Sequence, residues 1–385
     1  MSLLILGIFL FILLVVVHEY GHFIVAKRNG VDVEEFGVGF PPKLFGKTMG
    51  KGIFRGYYSV NALPLGGFVR LKGEHDSDTQ KGSYGSVNLS AKMRIMLAGV
   101  MMNLIVAIIM FTVVAWVGMP QLVNNQFTVK SDTKIIRSEV ILNFIEDNSP
   151  AAKAGLKSGD NIASIDGQKI ENQQQLHVAT KNHAGQNVKI IYDRDGSNFV
   201  TSATLLTNNE VEKSIKSDNP KGYLGVGSTD YKLAKSTWSA PIVAVGLSVQ
   251  LTGMTLKALA LAVANLLASL GNAVMGHGKE AKAKASAASQ NVSGPVGIYA
   301  IFRQGSSLGF QFTLFVVALI SLTLAIMNVL PIPALDGGRV AVTAFYHAIH
   351  RPLLPKTEEW IHGTGFAVLM GLFLLITVVD VKRFF

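Results

Sequence analysis

The 385-residue sequence contains no cysteine. Disulfide bonds and cysteine-ligated zinc sites are therefore excluded, and any metal must be bound by His, Asp or Glu. Charged residues are scarce as well, at 16% of the chain, whereas 49% of the residues are hydrophobic. Soluble domains carry about 25% charged residues. The composition therefore favours a membrane protein that also carries a polar domain.

Acidic residues are outnumbered by basic ones, 25 to 35, which leaves a net charge of +10. A basic chain can bind nucleic acid. Here the basic residues lie beside long apolar segments, as Lys27-Arg28 does, and this is the pattern of a membrane protein. We expect the lipid bilayer to be a partner and nucleic acid not to be one.

Long apolar segments predict four transmembrane helices, each with the roughly 20 residues needed to cross about 30 Å of hydrocarbon. They lie at about residues 3–26, 93–117, 310–330 and 363–379. The first segment lacks the basic start and the cleavage site of a signal peptide, so we expect it to be a retained helix.

The loop at residues 27–92 is rich in Lys and Arg, which predicts the orientation of the chain. The positive-inside rule assigns this loop to the cytoplasm and the N-terminus to the outside. A further apolar segment, residues 241–275, contains Lys257 and many Ala, Ser, Thr and Gly residues. Two interpretations are compatible with it: it crosses the membrane, or it lies on the membrane surface.

The first apolar segment contains the motif His18-Glu19-Tyr20-Gly21-His22. On a helix, His18 and His22 project from one face, so both can bind one Zn²⁺, with Glu19 beside them as general base. The alternative is two ordinary buried histidines and a carboxylate that reaches the membrane surface. Ionisable side chains inside a membrane helix are costly without a partner, which favours the metal site.

A catalytic zinc site has three protein ligands and an open position for water. Asp336 is the best candidate for the third ligand, because it is the only acid in the proline-broken end of the third span, residues 328–339. Irregular backbone at membrane depth is tolerated where it lines a polar cavity. The alternative is a turn aspartate before the glycine pair. Weaker candidate ligands beyond that pair are His347, His350 and His362.

Two strands are predicted in the first loop, at residues 53–60 and 68–72, with a turn at 64–67 between them. Upstream, the Gly- and Pro-broken aromatic residues 36–42 either enter the membrane surface or form part of a cytosolic hairpin. In the second span, Gly99 and Asn103 share a helical face. We expect them to serve helix packing rather than substrate contact.

With these motifs together, the sequence resembles the site-2 protease family of intramembrane metalloproteases, close to its RseP-like bacterial members. The matching segments are His18 to His22, Leu63 to Val69, Ser293 to Ile298 and Asn328 to Gly338. The resemblance implies that His18, His22 and Asp336 bind zinc and that Glu19 is the catalytic acid and base.

The resemblance further implies that the 53–73 hairpin belongs to a membrane-associated β-sheet near the site, and that Asn328 helps to hold substrate. A strand edge of this hairpin is expected to bind the extended substrate, with Gly66 and Gly67 as its binding residues. The family pattern also favours a surface position for residues 241–275, which keeps four spans and puts Asp336 on the same side as His18.

Residues 120–228 are polar and resemble a single PDZ domain, whereas longer family members carry two. The resemblance rests on Ser149 to Asp160 and on Gly222 to Val226, which is expected to form a carboxylate-binding loop. We expect this domain either to exclude bulky uncut proteins or to bind a newly formed C-terminus. Its ligand is not identified by the sequence.

The predicted fold is a polytopic α-helical membrane protein with four transmembrane helices, a membrane-associated β-sheet and one inserted PDZ-like α+β domain. The predicted domains are 1–119, 120–228, 229–309 and 310–385. The expected function is zinc-dependent cleavage of transmembrane segments of single-pass proteins, such as anti-sigma factors or signal-peptide remnants, in the bacterial cytoplasmic membrane. The PDZ-like domain is expected to be extracytoplasmic. The alternatives are a non-proteolytic scaffold and a metal transporter.

Overall fold

A computed structural model of the chain describes residues 2–73, 78–194, 196–215, 220–275, 277–280, 283–284, 305 and 308–384. The chain forms two compact units. The first comprises Met1–Phe111, Ala244–Arg303 and Val316–Phe385. The second comprises Thr112–Val243 and Gln304–Phe315. The predicted motif Ser293 to Ile298 lies outside the described residues.

The helices are numbered in chain order. They are α1 (Ser2–Arg28), α2 (Leu89–Val117), α3 (Pro150–Lys153), α4 (Gln173–Asn182), α5 (Asn208–Ile215), α6 (Ala240–Val274), α7 (Phe310–Val329), α8 (Asp336–Ala348) and α9 (Pro355–Phe384). Pro355 stands at the first position of α9, where its missing N–H costs no helical hydrogen bond.

The strands are numbered in the same way. They are β1 (Val33–Met49), β2 (Gly56–Leu71), β3 (Met119–Pro120), β4 (Lys134–Ile145), β5 (Asn161–Ile165), β6 (Gln168–Lys169), β7 (Asn187–Arg194), β8 (Ser197–Thr204) and β9 (Val226–Lys235).

Within the described residues, five helices are long and apolar enough to cross a membrane. The qualifying segments are Phe9–Arg28, Leu89–Val117, Ala240–Ser269, Phe310–Val329 and Pro355–Val381. Four of them match the predicted spans. The fifth belongs to α6, a continuous helix of 35 residues that covers the segment for which the sequence left two interpretations. The chain is therefore a multi-pass membrane protein.

The predicted turn at residues 64–67 lies inside the element β2, at the place where the chain reverses. β1 and β2 form one antiparallel sheet in which Val38 pairs with both Val60 and Gly67. These two parts of β2 therefore lie on opposite sides of Val38, and the residues between them connect the two sides. Gly66 has φ +120°, a conformation that glycine adopts without strain. The predicted strand start at residue 53 is wrong, since Gly52–Phe54 is a 3₁₀ turn.

The sheet packs on α1 at the end of the His-Glu motif. Phe23 of α1 is fully buried and contacts the rings of Tyr20, Phe36 and Tyr58 at centroid distances of 5.7–5.8 Å. Ile95 of α2 is part of the same apolar cluster. Aromatic contacts of this kind add to the free energy of apolar burial and hold the sheet against the helix that carries the motif.

The second unit contains a seven-stranded sheet with the order β3-β9-β4-β5-β7-β8, and β6 pairs with β5. Its apolar core includes the fully buried Val140, Ile162 and Ile190. A side chain caps α3, because Ser149 Oγ accepts from the Ala152 N–H at 3.1 Å. The unit is an α+β domain inserted between α2 and α7.

Asp132 of the second unit caps the start of α6. Its carboxylate accepts from the hydroxyl and backbone N–H groups of Thr237 and Ser239 at 2.5–3.1 Å. Hydrogen bonds from Ser239 and then Thr237 hold the pKa of Asp132 well below its ordinary value. Trp116 Nε1 also donates to Thr237 O at 2.8 Å, so the end of α2 is tied to the same turn.

Candidate metal centre

α1 presents His18 and His22 on one face, as their spacing of four residues predicts. Their Nε2 atoms are 3.3 Å apart and their ring centroids 4.9 Å apart. His18 is 8% exposed. Leu, Ile, Val and Phe surround the motif in sequence and make α1 a regular helix, so the backbone itself aligns the two imidazoles.

Asp336 reaches the two imidazoles from the first turn of α8. Its Oδ2 lies 3.1 Å from His18 Nε2 and 3.4 Å from His22 Nε2. The chain turns sharply between α7 and α8, and the buried Gly337 and Gly338 permit this turn. A Cβ at either glycine would collide with backbone atoms of residues 329–333, so the pair is required for the close approach.

The three candidate ligand atoms have a spacing that fits a zinc ion. They lie within 4.8 Å of one another, and ligands held tetrahedrally at about 2.0–2.1 Å from zinc would be about 3.3 Å apart. Within the described part of the chain, Asp336 Oδ2 is buried and has no hydrogen-bond partner. A buried oxygen facing two imidazole nitrogens without a bond is costly, and a shared cation removes that cost.

Gly99 of α2 leaves the space that an ion needs. A Cβ at this position would lie 2.5 Å from His22 Nε2 and 2.6 Å from His18 Nε2. The sequence suggested helix packing for this residue, and Gly21 of α1 does pack closely on Ala98. The structure adds a more specific role, because only glycine at 99 keeps the side of the site that faces α2 open.

Glu19 lies beside the proposed ligands and lines two cavities. The first, of about 130 Å³, is bounded by His22, Asp336, Arg339 and the residues Val69, Leu71, Tyr84, Ile95 and Met96. The Val69 backbone of β2 faces the Glu19 carboxylate. The second cavity, of about 250 Å³, is lined by His18 and by Val15, Asn103, Leu324, Asn328, Ala334, Leu335 and Asp336. A carboxylate at the junction of both cavities can reach a water molecule and a bound peptide.

Of the three residues expected to bind substrate, Asn328 and Gly67 lie at the site and Gly66 does not. Asn328 lines the second cavity together with His18 and Asp336. Gly67 adjoins Glu19, since a Cβ there would lie 3.3 Å from Glu19 Cγ. Gly66 instead faces Phe40, at 2.9 Å from its ring by the same measure. Of the two glycines, only Gly67 contacts the site.

The weaker candidate ligands are not in this group. His362 Nδ1 accepts a hydrogen bond from the Ala334 backbone N–H at 3.1 Å. His347 is in the last turn of α8, and His350 follows that helix with a positive φ of 53°. His362 therefore supports the loop before Asp336.

Sequence reasoning did not assign Ile95 and Asn103 to the metal centre. The Ile95 carbonyl lies 2.8 Å from His22 Nδ1, and the Asn103 amide lies 3.3 Å from His18 Nδ1. A backbone carbonyl leaves no signal in the sequence. Asn103 did leave one, as an amide within an otherwise apolar helix, four residues from Gly99.

The expected carboxylate-binding loop of the second unit borders a groove of about 300 Å³ between α4 and β9. Its lining includes Gly222, Tyr223, Leu224 and Gly225 from the loop and His177 from α4. Gly225 has φ +72°, which glycine adopts readily. This groove belongs to the second unit alone.

Membrane-length helices that bring two histidines, an aspartate and an adjacent glutamate together have the features of a membrane metallopeptidase. The model of Peptidase family M50 matches residues 6–372. The chain therefore belongs to Peptidase family M50.

Relatives match along nearly the whole chain. A protein of Clostridium perfringens is 30% identical over 373 residues, which cover 96% of this chain and 95% of that protein. The zinc metalloprotease RasP of Shouchella clausii is 27% identical, with all of both chains covered. The regulator of sigma-W protease RasP of Bacillus subtilis is 26% identical, with 98% of each chain covered.

Two solved structures are similar to part of the chain, and both are PDZ domains of SdrC-like proteins. The domain from Listeria innocua is 25% identical and covers 23% of this chain and 92% of its own, with a TM-score of 0.19. The domain from Listeria monocytogenes is also 25% identical and covers 25% of this chain and 93% of its own, with a TM-score of 0.21.

Proposed function

We propose that this M50 peptidase is an intramembrane zinc endopeptidase that cleaves transmembrane segments of single-pass membrane proteins. The observation that carries the proposal is the approach of Asp336 to His18 and His22, with Glu19 beside them. The relatives named zinc metalloproteases support zinc as the cofactor.

In this proposal His18, His22 and Asp336 bind zinc through two nitrogens and one oxygen. When bound, zinc supplies Lewis acidity, which activates water and polarises the scissile carbonyl. Glu19 takes a proton from the attacking water and delivers it to the leaving amine. The apolar helices around the site limit bulk water, so electrostatic interactions within it are strengthened.

Substrate must be extended at the cleavage point, because a helix hides its peptide bonds in its own hydrogen bonds. We assign Asn328 and Gly67 to holding the extended segment. Their support is that Asn328 lines the cavity next to His18, and that Gly67 belongs to the strand next to Glu19. Pairing along a strand supplies backbone hydrogen bonds without demanding one sequence. Substrates with helix-weakening residues are therefore favoured.

The sheet of β1 and β2 is proposed to lie at the membrane surface. Its outer part and the 3₁₀ turn between its strands expose large apolar side chains, namely Phe40, Leu44, Phe45, Met49, Ile53 and Phe54. Basic residues alternate with them in the sequence, namely Lys43, Lys47, Lys51 and Arg55. Apolar side chains interleaved with basic ones suit the boundary between hydrocarbon and anionic headgroups, which favours this interpretation over a purely cytosolic hairpin.

We further propose that four helices cross the membrane and that α6 lies along it. α2 ends and α7 begins within the compact unit that holds the seven-stranded sheet. Tyr231 of that sheet donates to the carbonyl of Leu308, just before α7. If α6 crossed, residues 276–307 would have to cross back, although they carry three lysines within positions 279–284. Four crossings avoid that second passage.

In this topology the predicted domain at residues 120–228 lies outside the cytoplasmic membrane of a bacterium. It would act as a PDZ-like module that excludes bulky, uncut proteins, or that binds a newly exposed C-terminus in the groove beside α4. The membrane regions on either side are the predicted domains 1–119 and 310–385, and residues 229–309 connect them.

The name of the Bacillus subtilis relative, a regulator of sigma-W protease, suggests an anti-sigma factor as substrate class. The general test uses a purified single-span model substrate. Glu19→Gln should retain zinc and lose cleavage, whereas unchanged cleavage would contradict the mechanism. A non-proteolytic scaffold would not cleave even as wild type. A transporter would move metal into vesicles and would tolerate Glu19→Gln better than His18→Ala.

A further inference from the structure

Each imidazole of a zinc site uses one nitrogen for the metal and needs an acceptor for the N–H of the other. His22 has such an acceptor. Its Nδ1 lies 2.8 Å from the Ile95 carbonyl, a backbone oxygen that can only accept. The proton is therefore on Nδ1, and the Nε2 lone pair faces the proposed metal position.

His18 faces an amide instead of a carbonyl. Asn103 Nδ2 lies 3.3 Å from His18 Nδ1, and Asn103 is only 1% exposed. Within the described residues, Asn103 Oδ1 is buried and has no hydrogen-bond partner. If His18 Nε2 binds metal, the proton of this imidazole is on Nδ1. The Nδ1–H and the Asn103 Nδ2 group would then be two donors that face each other, while the Asn103 Oδ1 acceptor beside them stays unused.

Turning the Asn103 carboxamide by 180° removes the contact between two donors and moves the Nδ2 group to the position that the oxygen held. Its nitrogen and oxygen have nearly the same shape, so the turn keeps the packing and brings Oδ1 to His18 Nδ1. The buried oxygen then gains a partner in the His18 Nδ1–H.

We propose that Asn103 is a positioning residue of the metal centre that accepts the His18 Nδ1–H and so directs the Nε2 lone pair to zinc. This inference rests on the zinc site of the proposed function. In this arrangement α2 orients both imidazoles. The Ile95 carbonyl orients His22, and the Asn103 amide orients His18. Gly99, midway between them on the same helical face, leaves the space for the ion.

The backbone of Asn103 is held in place by α7. Ser321 Oγ donates to the Asn103 carbonyl at 2.8 Å, and both residues are fully or almost fully buried. The amide therefore has a defined position relative to α1. A polar side chain at such a buried place in a membrane helix is costly unless it is paired, which the bond to His18 accomplishes.

The test measures zinc affinity of the full-length purified protein by competition with a chelator, without reference to cleavage. Asn103→Leu removes the acceptor at similar size, and its zinc affinity should fall by about 10- to 100-fold. Asn103→Asp keeps an acceptor that cannot donate when ionised, and it should stay within about threefold of wild type or bind more tightly. If aspartate restores the zinc affinity that leucine loses, Asn103 acts as a hydrogen-bond acceptor for His18 and not merely as a packing residue.

Thr323→Val is the control, because it removes a hydroxyl of α7 that donates to the Leu319 carbonyl and not to a ring of the site; its zinc affinity should not change. If Asn103→Leu does not fold, Asn103→Ala replaces it with the same expectation. Unchanged affinity in the apolar variant, or equal loss in leucine and aspartate variants, would overturn the proposal. A wild-type protein that binds no zinc would instead overturn the proposed function.

Discussion

The imidazole of His362 in α9 accepts a hydrogen bond from the Ala334 backbone N–H at 3.1 Å. Ala334 has φ +79°, which is unfavourable for a residue with a side chain. It stands two residues before Asp336. A histidine that the sequence offered as a metal ligand thus stabilises the strained loop that brings the aspartate to the site.

Replacing His362 by leucine should weaken metal binding indirectly. The part-buried Ala334 N–H loses its acceptor, and the loop before Asp336 becomes less ordered. We expect zinc affinity to fall by about tenfold or more in a chelator competition. His347→Leu, at an exposed position of α8, is the control and should bind zinc like wild type. Equal affinity in both variants would exclude the supporting role.

Gly99→Ala should abolish zinc binding while the protein remains folded. The added methyl group would lie 2.5–2.6 Å from both Nε2 atoms and would occupy the space of the ion. Gly371→Ala in α9 is the matched control, because nothing lies within 4 Å of its Cβ. Alanine is favoured over glycine in a helix by about 1 kcal/mol, so the control should be at least as stable as wild type. Metal analysis of the purified proteins distinguishes the two, and stoichiometric zinc in Gly99→Ala would refute the prediction.

The position of α6 can be tested by labelling, because the natural chain contains no cysteine. Lys279→Cys, just beyond α6, should react with a membrane-impermeant maleimide added to intact cells if α6 lies along the outer surface. Lys153→Cys in the inserted domain should react in the same way, and Lys51→Cys in the first loop should react only after the membrane is opened. A Lys279→Cys that behaves like Lys51→Cys would show that α6 crosses.

Asp132 should make stability depend on pH. Its pKa is lower in the folded chain than the ordinary value of 3.8, because Ser239 and Thr237 donate hydrogen bonds to the carboxylate. The stabilisation is therefore complete above pH 3.8 and is lost as the pH falls from there toward the folded-state pKa. Thermal unfolding of the wild type and of Asp132→Ala should differ near neutral pH and converge in acid. A constant difference across that range would disprove the link.

Local patterns in the sequence determined much of this protein. A spacing of four aligns His18 with His22 on any regular helix, and runs of about 20 apolar residues predict membrane helices without reference to the rest of the chain. The prolines before Asp336 likewise predicted the end of the third membrane helix. These inferences succeed because helix geometry and hydrophobicity act over a few neighbouring residues.

Tertiary structure decided the rest. His18 and Asp336 are separated by more than three hundred residues of sequence. Only the packing of α1, α2 and α7 brings Gly99 and Asn103 against the imidazoles. Pro64 to Gly67 favour a turn by themselves, and β2 does reverse there, but only the ladder with β1 shows that the two parts of β2 lie on either side of Val38. Backbone pairing of this kind depends on a partner far away in the sequence, and no short stretch of sequence contains that partner.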